Sequence, residues 1–345
     1  GAMLIGASSF TVSAEANSVP EAVDGVVTLT EDVTVSTYTI NQDLVLNLNG
    51  CTLDAAVRID NGAENVTIKN GSLTCESRYN TSAEQEKNFV LILAADANLT
   101  LQNVKLNGED MTDEYGIGGV RLEKGGEIMI EDSEISAGNL LLVNGAAVNP
   151  QESLYIMDVD SVTIKDSTLY GGDVVYSGGD YTGGYASSFF RDCDSTVALV
   201  RNTVLNIEGS NIYGSNNDIH NAGEAVFVTS SASGAIVNIT DSNLYGGNAA
   251  VKNKSTNNGI GGDGLRAGKN TVEIVGSKIF AGGGNSWGGD AVVFDQIADS
   301  LKITGSLLEG SVSGNGDSKG NALNNNARPG ILNAEISDSE LSASP

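Results

Sequence analysis

A short phrase recurs ten times along this chain of 345 residues. Each copy has two apolar residues separated by one residue, then Gly, Asn or Asp two positions later, and Leu or Ile three positions after that. The copies begin at Leu46, Val66, Leu99, Ile128, Val162, Leu205, Val237, Val272, Leu301 and Ala334. Self-similarity at this spacing is typical of stacked supersecondary units. The sequence therefore predicts a solenoid.

The apolar positions of the phrase alternate with polar ones, which is the period of a strand with one buried and one solvated face. The central apolar column contains Leu48, Ile68, Leu101, Ile130, Ile164, Ile207, Ile239, Ile274, Ile303 and Ile336. We expect this column to form one interior file in which Ile164, Ile207, Ile239 and Ile274 stack.

The position two residues after the central column holds only Gly, Asn or Asp, the residues that best tolerate positive φ. Its members are Gly50, Asn70, Asn103, Asp132, Asp166, Gly209, Asp241, Gly276, Gly305 and Asp338. A left-handed bend at this position turns the chain at a corner. The Leu or Ile that follows three residues later then starts a second inward-facing strand.

A glycine-rich stretch with a recurring Gly-acid or Gly-Asn step follows the second strand and is interpreted as the third side of each coil. The steps are Gly172-Asp173-Val174, Gly223-Glu224-Ala225, Gly247-Asn248-Ala249, Gly262-Asp263-Gly264, Gly289-Asp290-Ala291 and Gly320-Asn321-Ala322. Three short strands per coil make an all-β chain, a single parallel β-helix solenoid of about ten to eleven coils.

These columns resemble the right-handed parallel β-helix of the pectate-lyase-like superfamily, over about residues 26–341. The resemblance implies the fold but not one function, because the superfamily contains lyases, hydrolases, adhesins and phage spikes. Polygalacturonase-like members carry an Asp pair and motifs of the Asn-Thr-Asp, Gly-His-Gly and Arg-Ile-Lys kind, and none of these is present here.

A column of serines follows the bend in seven copies: Ser133, Ser167, Ser210, Ser242, Ser277, Ser306 and Ser339. Stacked hydroxyls at a corner can satisfy backbone groups that would otherwise be buried without partners, so we interpret the column as structural. The three cysteines, Cys51, Cys75 and Cys193, are out of stacked register and are expected to be small buried fillers rather than a disulfide framework.

The N-terminal sequence resembles the end of a secretory signal peptide. Residues 1–16 combine a cloning scar, Gly1-Ala2, with a small apolar run that ends in Ala-Glu-Ala. We therefore expect a secreted or cell-surface protein, in which residues 17–345 form the β-helix domain. Within it residues 17–25 form an N-terminal cap, with Ser18 as a helix N-cap. The last copy ends without a cap, so we expect the natural chain to continue.

The formal charge of −26, from 44 acidic and 18 basic residues, repels nucleic acid and acidic membrane surfaces. No run approaches 18 apolar residues, so membrane insertion is not expected.

Calcium is the one cofactor that the sequence suggests. Acidic turns at Asp173, Glu224, Asp263 and Asp290 offer the oxygen ligands that Ca²⁺ requires. None belongs to an EF-hand loop, and the same residues fit a well-solvated acidic surface.

Aromatic residues are sparse but aligned. Tyr170, Tyr213, Tyr245 and Phe280 share one outward column, with Ser136 before it and Glu309 after it. Two interpretations are open: a ladder that stabilises the stack, or a flat strip on which sugar rings or a partner lie. Tyr181, Tyr185 and Trp287 lie in long loops that would wall a ligand groove.

The leading functional hypothesis is a non-catalytic, adhesin-like β-helix that binds extracellular polysaccharide or a cell-surface glycan or protein. The alternatives are a polysaccharide lyase or glycoside hydrolase of the same superfamily and a structural stalk. No catalytic residues are predicted, because no constellation for acid and base catalysis is recognisable and His220 is the single histidine.

Overall fold

The structure, a computed structural model, describes residues 18–75, 88–143, 150–178, 193–249, 259–296, 298–313, 319–325 and 333–343. Every regular element in these residues is a strand, numbered β1 to β31 along the chain. Parallel pairing between successive coils closes them into a single β-helix. The all-β class and the parallel β-helix predicted from the repeats are confirmed.

The first sheet contains the strand that opens each copy of the phrase. Its members are β1 (Val26–Thr28), β3 (Leu44–Asn47), β5 (Asn65–Cys75), β7 (Asn98–Gly108), β10 (Gly125–Glu131), β14 (Val159–Lys165), β18 (Val204–Glu208), β21 (Ile236–Thr240), β24 (Thr271–Val275), β27 (Ser300–Thr304) and β30 (Ala334–Ser337).

The second sheet follows the corner and carries the aromatic column. It contains β2 (Val33–Ile40), β4 (Thr52–Ile59), the C-terminal parts of β5 and β7, β11 (Glu134–Ser136), β15 (Thr168–Tyr170), β19 (Asn211–Tyr213), β22 (Asn243–Tyr245), β25 (Lys278–Phe280), β28 (Leu307–Glu309) and β31 (Glu340–Ser342).

The third sheet contains the C-terminal parts of β2 and β4, β6 (Phe89–Leu93), β9 (Gly118–Leu122), β13 (Leu154–Ile156), β17 (Val197–Leu199), β20 (Val226–Val228), β23 (Leu265–Ala267), β26 (Val292–Phe294) and β29 (Leu323–Asn325). Coils with three separate strands begin at β10 and number about seven. This is fewer than the ten to eleven expected, because in the N-terminal coils single strands such as β4 and β5 continue around a corner.

The interior file forms as predicted over most of its length. Ile164 pairs with Ile207, Ile207 with Ile239, and Ile239 with Ile274, and all four side chains are fully buried. The first copy differs, because Leu46 rather than Leu48 pairs with Ile68. Two extra residues therefore enter the first corner, where Asn49 and Gly50 both have positive φ.

The corners explain both polar columns of the repeat. All ten predicted bend residues have positive φ, between 47° and 83°. Each following serine accepts a hydrogen bond from the backbone N–H of the equivalent residue in the preceding coil, as in Ser210 N to Ser242 Oγ at 3.0 Å. The same hydroxyl donates to the carbonyl two residues earlier, as in Ser242 Oγ to Thr240 O at 2.7 Å. The structural interpretation of this column is confirmed.

The prediction for the third side was wrong for two of its six steps. Val174 belongs to a separate three-stranded sheet of β8 (Met111–Thr112), β12 (Leu140–Leu142) and β16 (Val174–Tyr176). Ala249 continues the same ladder by bridging to Asn217. The same Gly-acid or Gly-Asn step thus serves two ladders, because both need a backbone that approaches closely between coils.

The remaining structural expectations had mixed outcomes. Residues 18–24 contain no helix, so the predicted helix N-cap at Ser18 was wrong; Val23 instead forms an antiparallel bridge with Val26. Cys51, Cys75 and Cys193 are not joined in disulfides, and Cys75 and Cys193 are buried, as expected for fillers. Within the described residues, no helix is long and apolar enough to cross a membrane.

Candidate functional site

A groove of about 430 Å³ lies between the second sheet and the short sheet of β8, β12 and β16. Its volume falls within the range of about 300–1,000 Å³ that is usual for ligand sites. The lining residues that matter chemically are Asn107, Asp110, Ser136, Asn139, Tyr170, Asp173, Tyr213 and Asn216. The groove therefore brings part of the aromatic column next to one of the predicted acidic turns.

The aromatic column forms a continuous stack. Ring centroids are 5.0 Å apart for Tyr170 and Tyr213, 4.9 Å for Tyr213 and Tyr245, and 5.3 Å for Tyr245 and Phe280, with interplanar angles of 13° or less. Rings this close and this parallel cover one another's faces and present their edges outward. The structure thus confirms a ladder but not a flat strip of ring faces, since no sugar ring fits between rings at this spacing.

The ladder ends at Tyr170, and this end lies in the groove. One face of Tyr170 stacks on Tyr213, while its strand partner on the other side is Ser136. Ser136 has no ring, and its hydroxyl donates to Asn107 Oδ1 at 2.8 Å, away from Tyr170. Tyr170 is accordingly 40% exposed. One aromatic face is therefore open where the ladder would need its next ring.

Gly171 and Gly214 line the groove at positions where no side chain fits. A Cβ on Gly171 would collide with Ser215 Oγ, and a Cβ on Gly214 would collide with the carbonyl oxygen of Gly223. Because only glycine fits at these positions, the backbone of the aromatic strands lies directly against the adjoining loop. The groove floor is consequently backbone and small side chains.

A ladder of Asp and Asn side chains forms the polar wall. Asn139 N donates to Asp110 Oδ1 at 2.8 Å, Asp173 N to Asn139 Oδ1 at 2.9 Å, and Asn216 N to Asp173 Oδ1 at 2.7 Å. One oxygen of each side chain accepts a hydrogen bond from a backbone N–H of the next coil. All four residues line the groove, and Asn216 Nδ2 also donates to Asp173, 3.2 Å from Oδ1 and 3.3 Å from Oδ2.

The environment of Asp173 disfavours its charged form. Burial raises the pKa of the Asp173 carboxyl, and Asp218 and Asp110 raise it further, against hydrogen bonds from Asn216 that lower it. Desolvation likewise raises the pKa of the Tyr170 hydroxyl, so this group remains a hydrogen-bond donor. The groove thus combines one aromatic face with both hydrogen-bond donors and hydrogen-bond acceptors.

A second cluster of charged residues lies on the outer face of the third sheet. Arg266 Nε donates to Asp295 Oδ2 at 2.7 Å, and Arg266 NH1 lies 3.4 Å from Glu224 Oε1. The guanidinium also lies over the Phe227 ring, 5.8 Å from its centroid. Nearby, Asp290 N donates to Asp263 Oδ1 at 2.8 Å. The cluster therefore contains one cation among several carboxyl groups.

Burial raises the pKa of two carboxyl groups in this cluster, and it holds Asp263 largely in its neutral form at neutral pH. Desolvation, followed by the charge of Glu224, raises the pKa of Asp263 to about 8. Desolvation also raises the pKa of Glu224, although Arg266 opposes it. A carboxyl group that stays protonated near neutral pH can act as a proton donor. Sequence reasoning missed Arg266 and Asp295, because they lie 29 residues apart without a local motif.

The predicted site residues separate into several places. Tyr170, Tyr213 and Asp173 line the groove. Tyr245 and Phe280 continue the ladder beyond it, and Glu224, Asp263 and Asp290 belong to the third-sheet face. Trp287 is 58% exposed and bridges to Ile260, away from the groove. Tyr181 and Tyr185 lie outside the described residues.

The four acidic residues predicted to bind calcium are not brought together. Asp173 lies in the groove and the other three lie in the cluster around Arg266. Among the described residues, no group of three or more His, Cys, Asp or Glu side chains is arranged to hold a metal ion. Calcium stays a prediction.

No protein-family model and no curated protein sequence matches the chain. Among solved structures, it is similar to the Azotobacter vinelandii mannuronan C-5 epimerase AlgE6 A-module, with 12% identity and a TM-score of 0.38, covering 93% of this chain and 90% of that one. It is also similar to a variant of the periplasmic alginate epimerase AlgG, with 13% identity and a TM-score of 0.39, covering 93% and 79%.

Proposed function

We propose that this protein is a secreted or cell-surface carbohydrate-binding β-helix whose groove holds a polysaccharide chain. The observation that carries the proposal is the open face of Tyr170, which lies in the groove above Ser136 where the aromatic ladder stops. A sugar ring stacks there on Tyr170 in the place of a further aromatic ring.

The chemistry of the groove supports this assignment. A pyranose ring has apolar C–H faces and a rim of hydroxyls, so it needs an aromatic surface together with hydrogen-bonding groups. Tyr170 supplies the surface, and Asp110, Asn139 and Asp173 supply the polar wall. The groove is open and runs across several coils, as a polymer requires. The proposed partner is a polysaccharide or a cell-surface glycan.

Filling the vacant ladder position tests the proposal. Ser136→Tyr extends the stack by one ring and should abolish retention in affinity electrophoresis on a polysaccharide that retains the wild type. Stability should change little, since one hydrogen bond to Asn107 is exchanged for one ring contact. Glu309→Tyr is the matched control, because Glu309 pairs with Phe280 at the opposite end of the ladder. It should add a ring there and leave retention unchanged.

Equal retention of the wild type and Ser136→Tyr would contradict the proposal. So would loss of retention in both variants, because that result would point to a general effect of lengthening the ladder.

A second candidate function is carbohydrate cleavage at the third-sheet cluster. The observation that favours it is the raised pKa of Asp263, about 8, beside Glu224 and Arg266, an arrangement suited to a general acid. We expect no cleavage of polygalacturonate, alginate or other uronic-acid polymers, because the sequence contains no recognisable catalytic constellation. Product formation that scales with protein concentration and disappears in Asp263→Asn would establish catalysis.

A further inference from the structure

We infer that the groove takes an uncharged polysaccharide and rejects polymers of uronic acids. The inference rests on the proposed function, because it specifies the ligand of the same site. It follows from the charges and hydrogen-bonding groups that surround the open face of Tyr170.

The charges in the groove have one sign. Asp110 and Asp173 line it, and none of the described lining residues is Lys or Arg. The nearby Lys105 is occupied by Glu134, with Nζ 2.8 Å from Oε1. A uronate carboxylate stacked on Tyr170 would therefore meet two carboxyl groups, and the one nearby cation is already paired with Glu134. Like charges brought together in this way oppose binding.

The hydrogen-bonding groups also match hydroxyls better than carboxylates. Asp173 Oδ1 accepts from Asn216 N at 2.7 Å, and Oδ2 accepts one longer hydrogen bond, from Asn216 Nδ2 at 3.3 Å, so it retains capacity for a further donor. Asp110 uses one oxygen for Asn139 N. The carboxylate oxygens left over need donors. A hydroxyl donates as well as accepts, while a carboxylate only accepts, so the hydroxymethyl group of a neutral sugar can donate to the wall and the carboxylate that replaces it in a uronate cannot.

Matched pairs of polymers test the inference on the full chain. Each pair has a similar backbone with and without charge: hydroxyethyl cellulose and carboxymethyl cellulose, methyl-esterified and de-esterified polygalacturonate, and mannan and polymannuronate. Affinity electrophoresis should retard the protein on at least one neutral polymer. Its charged counterpart should bind at least about ten-fold more weakly.

The net charge of −26 would also repel polyanions, so the local effect needs its own variant. The double substitution Asp110→Asn and Asp173→Asn keeps the Oδ1 acceptors of the wall and removes both charges. It should raise the affinity for the charged polymer, relative to its neutral counterpart, by about ten-fold. Glu335→Gln with Glu340→Gln removes two exposed charges from the last coil and should change this ratio by less than about two-fold.

The outcomes separate the inference from the proposed function. Tyr170-dependent binding of uronate polymers as tight as that of neutral ones would overturn the inference and leave the proposed function standing. An unchanged affinity ratio in the Asp110 and Asp173 double variant would also overturn it, since rejection would then come from the whole surface. Failure of every polymer to bind would overturn the proposed function and the inference with it.

Discussion

The groove at Tyr170 and the cluster at Arg266 are built on the same stack of coils but use their polar groups differently. In the cluster, Arg266 forms an ion pair with Asp295 and lies close to Glu224. The positive charge of Arg266 is therefore offset within the protein. In the groove, Asp110 and Asp173 have no cation beside them among the lining residues. Each of these two accepts a backbone N–H with one oxygen and retains acceptor capacity on the other.

This difference indicates which region is available to a ligand. A cluster whose one cation is already paired within the protein offers little to an anionic partner and affects mainly stability and its dependence on pH. A wall with unused hydrogen-bonding groups beside an open aromatic face gains from a partner that satisfies them. We therefore assign binding to the groove and interpret the cluster first as a determinant of stability.

The largest effect on stability is expected from a substitution in the buried interior of the β-helix, which supports both the groove and the cluster. Ile207→Asp places an unpaired charge in the fully buried interior file and should lower the free energy of unfolding by at least about 4 kcal/mol. Glu208→Gln, on the exposed next residue, is the control. Thermal unfolding followed by circular dichroism measures both, and near-wild-type stability of Ile207→Asp would contradict the stacking register.

The repeat made this interior predictable, because ten copies define each column independently. The corners, the serine column and the isoleucine file follow from residue types at fixed spacing. The first corner was not predictable. The repeat aligns Leu48 with Ile68, but Leu46 is equally apolar, and only the pairing with the neighbouring strand shows that Leu46 takes this position.

The sites were harder to predict for a physical reason. Alignment placed four rings in one column but could not show that their faces would cover one another. The interruption at Ser136 was visible in the sequence, and it becomes meaningful only once Tyr170 is seen to have an uncovered face. The same Gly-acid step occurs in two ladders, so spacing alone could not separate Asp173 from Asp263.

A smaller effect is expected from the cluster alone, through pH. The pKa of Asp263 rises from an ordinary value of 3.8 to about 8 on folding, so the folded state binds a proton that the unfolded state releases above pH 3.8. Stability should therefore fall as the pH rises from about 4 to about 8. Asp263→Asn keeps the acceptor for Asp290 N and should be more stable than the wild type at about pH 8, by at least about 1 kcal/mol.

Urea unfolding of both proteins at about pH 5 and about pH 8 measures this difference. Asp43→Asn is a control of opposite sign, because hydrogen bonds from the N–H groups of Glu64 and Asn65 lower the pKa of Asp43. Its stability deficit should be present at neutral pH and disappear in acid. A wild type whose stability rises with pH through this window, or an Asp263→Asn variant with the same pH dependence, would contradict the account of the cluster.

The smallest expected effect is that of calcium on the melting temperature. Its loss in single variants would show whether the ion binds in the groove or in the cluster. If Ca²⁺ binds the folded protein, it should raise the melting temperature relative to a chelator through mass action. The response should disappear in Asp173→Asn if the ion binds in the groove and in Asp290→Asn if it binds in the cluster. Identical melting curves with calcium and with chelator would remove calcium from the account.

The most direct test compares the two ends of the aromatic ladder. Tyr170 and Phe280 each stack on a single ring, at 5.0 and 5.3 Å, but only Tyr170 lines the groove. Tyr170→Ala and Phe280→Ala should lose similar stability, about 0.5 to 1.5 kcal/mol each. Titration calorimetry with a neutral polysaccharide that the wild type binds should show at least about ten-fold weaker binding for Tyr170→Ala alone. Equal binding by the two variants would contradict the assignment of the groove.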